Sequence, residues 1–129
     1  MSEHRRVNRE KSKENKKISK SGEVVILVTT PSMEEAQKIA HRLVGEHLVA
    51  CANLVSPVQS IFYWQEKVCD VKEVLVICKS RVALFEEILK RVKELHSYTV
   101  PEIIALPIIK GSEDYLRWIH EVTNKRSDV

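Results

Sequence analysis

The chain has 129 residues, 43% of them hydrophobic, with 21 Lys and Arg against 18 Asp and Glu, the make-up of one ordinary globular domain. The charge is lopsided, because eight of the basic residues and only three of the acidic ones fall in residues 1–22, leaving 13 against 15 from residue 23 onward. A near-neutral domain argues against a broad phosphate-binding surface, and no stretch approaches the ~20 apolar residues that a membrane-spanning helix needs.

Residues 1–22 contain only Met1, Val7 and Ile18 as apolar side chains. That is too few to bury, so a disordered, solvated basic tail is expected there, ahead of a domain over 23–129. The tail also lacks the apolar run of a secretory signal. The three cysteines, Cys51, Cys69 and Cys78, have no C-x-x-C spacing. Free thiols in a reducing, cytoplasmic compartment are therefore expected.

VVILVTT (24–30), bounded by Gly22 and Pro31, reads as a buried strand. Ser32 and Glu35 have the S-x-x-E spacing of a capping box, so a helix is predicted to start there. Met33, Ala36, Ala40, Leu43 and His47 supply its apolar face at helical steps. ACANLVSPVQSIFYW (50–64) is extended in character, and Pro57 within it demands a bulge or bend. Gln65, Glu66 and Lys67 read as a turn, followed by a long strand over about 68–79. Leu84, Phe85, Ile88, Leu89, Val92 and Leu95 mark a second amphipathic helix that stops near His96. EIIALPII (102–109) is a strand whose Pro107 suggests an edge or a bulge. Gly111 and Ser112 lead into a last helix carrying Tyr115, Leu116, Ile119 and Val122.

The order β-α-β-β-α-β-α is that of a ferredoxin-like α+β fold, a split βαβ with a four-stranded antiparallel sheet and an added C-terminal helix. VLVIC (74–78) is apolar at every position, so both faces of that strand call for burial. Two helices cover one face only, and the other is expected to meet a further copy of the chain.

The histidines and cysteines offer soft or borderline metal donors, but none at local ligand spacing. His41 and His47 are six apart and do not share a helix face. His120 reads as a surface residue of the last helix. The thiols read as small buried hydrophobes rather than nucleophiles, and no catalytic residue is assigned. RNA-recognition domains share this topology, yet the central strand KEVLVICK carries no aromatic residue, so no specific nucleic-acid partner is expected. The segment HSYTVPE (96–102) is the one place where backbone chemistry leaves residues over. His96 can meet carbonyls at a helix end, and Pro101 forbids helix and forces Val100 extended. Tyr98 and Glu102 fit a polar cleft better.

VTTPS, A-x-x-I-A-x-x-L at 36–43, LVACANL, SIFYW at 60–64, EVLVICKS, HSYTVPEIIALPI and G-x-x-x-Y-L-x-W at 111–118 together resemble the CutA family of divalent-cation tolerance proteins over residues 23–123. The resemblance implies a ferredoxin-like fold, a tight homotrimer, and a part in tolerance of copper or another divalent metal ion without an organic cofactor. It implies a cleft between subunits that gathers Cys51, Trp64, Lys79, His96, Tyr98 and Glu102. In that cleft Cys51, His96 and Glu102 are the candidate metal donors. Trp64 and Tyr98 are the walls, and Lys79 partners Glu102 or an anion. The family's likeness to PII signalling proteins implies sensing rather than enzymatic work. The alternative is a non-metal scaffolding or PII-like small-molecule sensing trimer.

Three positions depart from the family's pattern. Ser97 stands where proline is usual and implies a looser loop. Thr99 removes a common acid or amide, and Glu66 replaces a usual glycine in the 65–67 turn.

Overall fold

The computed structural model describes residues 22–125. The expected basic tail lies outside them save for Gly22, as do residues 126–129. Among the described residues, in chain order, stand β1 (Glu23–Thr30), α1 (Met33–Gly45), β2 (Cys51–Trp64), β3 (Lys67–Arg81), a 3₁₀ turn (Val82–Leu84), α2 (Phe85–Leu95), β4 (Ile103–Pro107) and α3 (Glu113–Asn124). The four strands form one antiparallel sheet in the order β2-β3-β1-β4, so the ferredoxin-like α+β expectation holds. β4 is an edge strand, which is where Pro107 with its missing N–H can be accommodated.

Strand periodicity decides which side chains face the helices. Val24, Ile26, Val28 and Thr30 of β1 and Val74, Val76, Cys78 and Ser80 of β3 are buried, while the residues between them are not. Those apolar side chains close one core with Ala36, Ile39 and Leu43 of α1 and Ile88 and Val92 of α2. Removing a fully buried side chain such as Leu43 costs about 2–5 kcal/mol. Met33, expected on the apolar face of α1, is instead exposed, and Ile39 takes part in its place.

His47 was expected on the same face and lies off the helix altogether. Glu46 is the C-cap and His47 follows it at φ 59°, with the Leu48 N–H bonded to the Leu43 carbonyl at 3.0 Å and the His47 N–H to that of Val44 at 3.0 Å. This is a Schellman ending, and it folds Leu48 back onto Leu43 in the core.

The second face of the sheet is not left wholly to another copy. α3 crosses one end of it, burying Ile119 and Thr123 and taking a 2.8 Å bond from Arg81 Nε to Thr123 Oγ1. Beyond α3 that face carries Leu75 and Ile77, partly exposed, and Val55, Ile104 and Leu106, which are 45%, 47% and 48% exposed.

β2 and β3 are much longer than their neighbours. β1 pairs with β3 only over 74–81, so residues 58–73 form a two-stranded arm that leaves the sheet. The arm begins at a register shift between Val55 and Val58, the bend expected at Pro57, and the Ser56–Pro57 peptide there is cis. It ends in a two-residue turn in which both Gln65 (φ 50°) and Glu66 (φ 65°) are left-handed, the backbone of a type I′ hairpin turn.

Candidate functional site: a cleft between the hairpin arm and the 96–102 loop

Where α2 stops, the chain must cross to the sheet edge to begin β4, and its path is held by three side-chain bonds. The capping box supplies the first. Ser32 Oγ accepts the Glu35 N–H at 3.2 Å as expected. The Glu35 carboxylate is given another partner, the N–H of Ser97, which it accepts at 3.2 Å through Oε2. A proline at 97 has no N–H to give, so Ser97 ties the loop down at this point rather than loosening it.

His96 supplies the second tie. Its side chain is fully buried. Nε2 lies 2.7 Å from the Thr29 carbonyl, which can only accept, so Nε2 carries the hydrogen. Nδ1 then accepts the Tyr98 N–H at 3.0 Å, with Glu35 Oε2 at 3.4 Å beside it. The ring serves β1 and the loop, not the α2 carbonyls expected from its position at the helix end. It also lies against the Tyr98 ring, centroids 4.9 Å apart.

The third tie is Tyr98 itself, whose hydroxyl donates to Glu73 Oε2 at 2.8 Å. Burial of the phenol, joined by this bond and the negative charge of Glu73, pushes the Tyr98 hydroxyl up to about 12. Glu73, only 6% exposed, is the last residue of the arm before β3 joins β1 in the sheet.

Between the tied loop and the arm lies a cavity of about 780 Å³, within the range of small-molecule sites. Phe62, Trp64 and Tyr98 are its aromatic walls, Glu73 and Glu102 its carboxylates, and Ser60, Thr29, Ser97 and Thr99 its hydroxyls. The Cys69 thiol also opens on it. The arm residues Ser60, Phe62, Trp64, Cys69, Val71 and Glu73 share one face by the period-two rule.

Of the six residues drawn from the sequence, Trp64, Tyr98 and Glu102 line this cavity and His96 stands directly behind it. Cys51 and Lys79 do not join them. They pair with each other across β2 and β3 at the far end of the second face, under α3. Cys51 Sγ lies 3.5 Å from the Tyr115 hydroxyl, and Lys79 Nζ donates to Asn53 Oδ1. Cys51 and Trp64 bracket β2, so roughly 40 Å of extended strand separates them. The expected pairing of Lys79 with Glu102 is therefore replaced by Asn53. Cys51, His96 and Glu102 do not converge within one chain, and both His96 nitrogens are already in hydrogen bonds. Among the described residues no three His, Cys, Asp or Glu gather around one ion, so the donor set does not fit a metal within a single chain.

Glu35, Cys69 and Glu73 are the site residues that sequence reasoning passed over. Glu35 was read wholly as a cap. Glu73 carried a usable signal, as a carboxylate opening the otherwise apolar run VLVIC, on the side of β3 that faces away from α1 and α2.

The family model of the CutA1 divalent ion tolerance protein matches residues 24–122. The divalent-cation tolerance protein CutA of Thermus thermophilus is 48% identical over 101 residues, spanning 78% of this chain and 98% of that one. The chloroplastic CutA of Arabidopsis thaliana is 42% identical over 100 residues, or 78% of this chain and 55% of its own length. Among solved structures, the periplasmic divalent cation tolerance protein CutA of Archaeoglobus fulgidus superposes with a TM-score of 0.76 at 42% identity, covering 78% of this chain and 98% of that one. The Thermus thermophilus protein superposes with a TM-score of 0.76 at 47% identity, covering 77% and 96%. Fold, residue pattern and relatives agree: this chain belongs to the CutA family of divalent-cation tolerance proteins.

Proposed function

We propose that the chain acts as a homotrimer, in the cytoplasm, which serves divalent-cation tolerance by binding a metal ion or small ligand at clefts between subunits, without catalysis. The observation that carries this reading is the 780 Å³ cavity walled by Trp64, Tyr98 and Glu102. It sits at one end of the second sheet face while Cys51 and Lys79 sit at the other. If the six family residues serve one cleft, its two halves come from successive copies. That is a head-to-tail contact, which closes into a ring of three when each copy is turned by a third of a revolution from the last. The exposed Val55, Ile104 and Leu106 lie between those ends, and the arm, a two-stranded ribbon of little stability alone, needs cover of the same kind.

In such a ring Glu102 is the donor best placed for an ion, with Cys51 brought in from the neighbouring copy and His96 holding the loop in place. The name carried by the relatives, divalent-cation tolerance protein, favours copper or another divalent ion. The test has two parts. Light scattering should give three times the 14.9 kDa chain mass, and Leu106→Asp should lower it. Copper titrated into the reduced protein against a competing chelator should bind at a fixed ratio per subunit, weakened by Glu102→Gln, Cys51→Ala or His96→Ala. Binding no tighter than a surface histidine's and indifferent to all three changes would end the metal reading. A scaffolding trimer or a PII-like sensor of small molecules would then remain.

A further inference from the structure

The basic segment at the N-terminus is the one motif that neither the fold nor the cleft employs. Residues 1–22 hold eight Lys and Arg against three Glu, while the rest of the chain is near neutral. The order of those charges is helical. At about 100° per residue, every Lys and Arg from Arg5 to Lys20 except Lys11 falls within one arc of about 120°. Glu3, Glu10 and Glu14 border that arc, each three residues ahead of Arg6, Lys13 or Lys17, the spacing of favourable ion pairs on a helix. The far side holds Asn8, Ser12, Asn15 and Ser19, with Val7 and Ile18 as a narrow apolar strip, too little to seat in a bilayer surface.

The fold gives this segment a fixed root. The Gly22 carbonyl accepts the Val82 N–H at 3.0 Å, and Glu23 begins β1 opposite Arg81. The segment therefore joins β1 at the end away from Thr29 and the cavity, roughly 23 Å of strand distant. Three more cations belong to the same end of the sheet. Arg81 Nε donates to Thr123 Oγ1 at 2.8 Å, and the exposed Lys125 is the C-cap of α3 two residues later. Lys110, also exposed, follows Ile108, whose N–H meets the Glu23 carbonyl at 3.0 Å.

We propose that residues 5–20 bind duplex DNA without sequence preference, as a helix laid in the major groove with its cationic arc against the phosphates. The stripe is roughly 24 Å long. The major groove of B-DNA admits an α-helix, whereas that of A-form RNA is too deep and narrow. A helix of this length and charge is marginal alone and forms as the phosphates neutralise it. This binding calls on neither the cleft nor the number of subunits.

The full-length protein is titrated with a mixed-sequence DNA duplex of about 30 base pairs, with the same duplex as RNA, and with phosphatidylcholine vesicles containing phosphatidylserine. Saturable DNA binding is expected, at least about fivefold tighter than RNA or vesicles at equal phosphate. Log K should fall against log salt with a slope between about −4 and −6. Far-ultraviolet circular dichroism should gain helical signal as DNA is added. Arg9→Glu combined with Lys13→Glu should weaken DNA binding at least about tenfold. Ser12→Pro keeps every charge and breaks a helix at its middle, so it should weaken binding at least about fivefold and abolish the helical gain. These positions lie outside residues 22–125, so loss of the domain's fold does not imitate either result. DNA binding that is equal in Ser12→Pro and wild type, or indifferent to the double reversal, overturns the helix in the groove. RNA or vesicles bound as tightly as DNA overturn the choice of partner, and no saturable binding to DNA overturns the whole.

Discussion

The Tyr98 hydroxyl donates to Glu73 at 2.8 Å, joining the loop after α2 to the point where β3 leaves the sheet. The pair gives the fold a sensitivity to alkali. An unfolded tyrosine titrates near pH 10, whereas burial and then the Glu73 bond push Tyr98 up to about 12. Between those values the unfolded chain has released a proton that the folded chain keeps. The stability linked to Tyr98 is thus full below about pH 10 and lost as pH rises toward about 12. Denaturant midpoints measured across that window should fall more steeply for the wild type than for Tyr98→Phe. Tyr115, raised first by its Cys51 bond, contributes equally to both proteins and drops out of the difference. Parallel curves would show that the bond does not persist in solution.

The hairpin turn between β2 and β3 is strained. Gln65 and Glu66 both hold positive φ, at 50° and 65°, a region in which a Cβ costs roughly 1–2 kcal/mol. Glu66→Gly should raise unfolding free energy by about 1 kcal/mol at unchanged m-value in urea. A loss of stability would mean that the Glu66 side chain makes a compensating contact.

Much of this molecule is legible from side-chain periodicity, and the illegible remainder has physical causes. β1, the two core helices, the bend at Pro57 and the edge position of Pro107 follow from local residue chemistry, which acts over a few positions. His47 misled because its spacing continues the α1 pattern. The helix ends earlier because Leu48 gains more by folding back onto Leu43. Glu35 misled for the opposite reason: a residue that satisfies a local motif was given a partner 62 positions away. The cleft was only half legible. Trp64, Tyr98 and Glu102 meet, but Cys51 and Lys79 share with them a sheet face and not an end of it. Sequence spacing carries no information on that difference.

The thiols should separate cleanly by burial. Cys78 is fully buried between β3 and the helices, and burial pushes its thiol up to about 12, leaving almost no thiolate at neutral pH. Cys51 and Cys69 are partly exposed. Native protein treated with iodoacetamide at pH 8 should be alkylated at Cys69 and Cys51, with Cys78 modified only on the timescale of unfolding. Mass spectrometry of the digested protein reads each site. Early labelling of Cys78 would show that the sheet opens locally beside it.

The loop that walls the cleft should depend on a residue of α1. Glu35 Oε2 accepts the Ser97 N–H and stands 3.4 Å from His96 Nδ1, so Glu35→Ala removes an acceptor but leaves the Ser32 cap, which uses the Glu35 backbone N–H. The expected loss is about 1 kcal/mol of stability, with faster hydrogen exchange confined to the amides of Ser97 and Tyr98. Glu35→Gln keeps an oxygen that can accept the Ser97 N–H from the same position, so its exchange should stay near that of the wild type. Ser97→Pro deletes the donor instead of the acceptor. If Glu35 acts through this bond, adding Glu35→Ala to Ser97→Pro should cost less than it does in the wild type, since the two changes remove one interaction. Fully additive costs would assign the effect of Glu35 to the helix start and leave the loop held by His96 and Tyr98 alone.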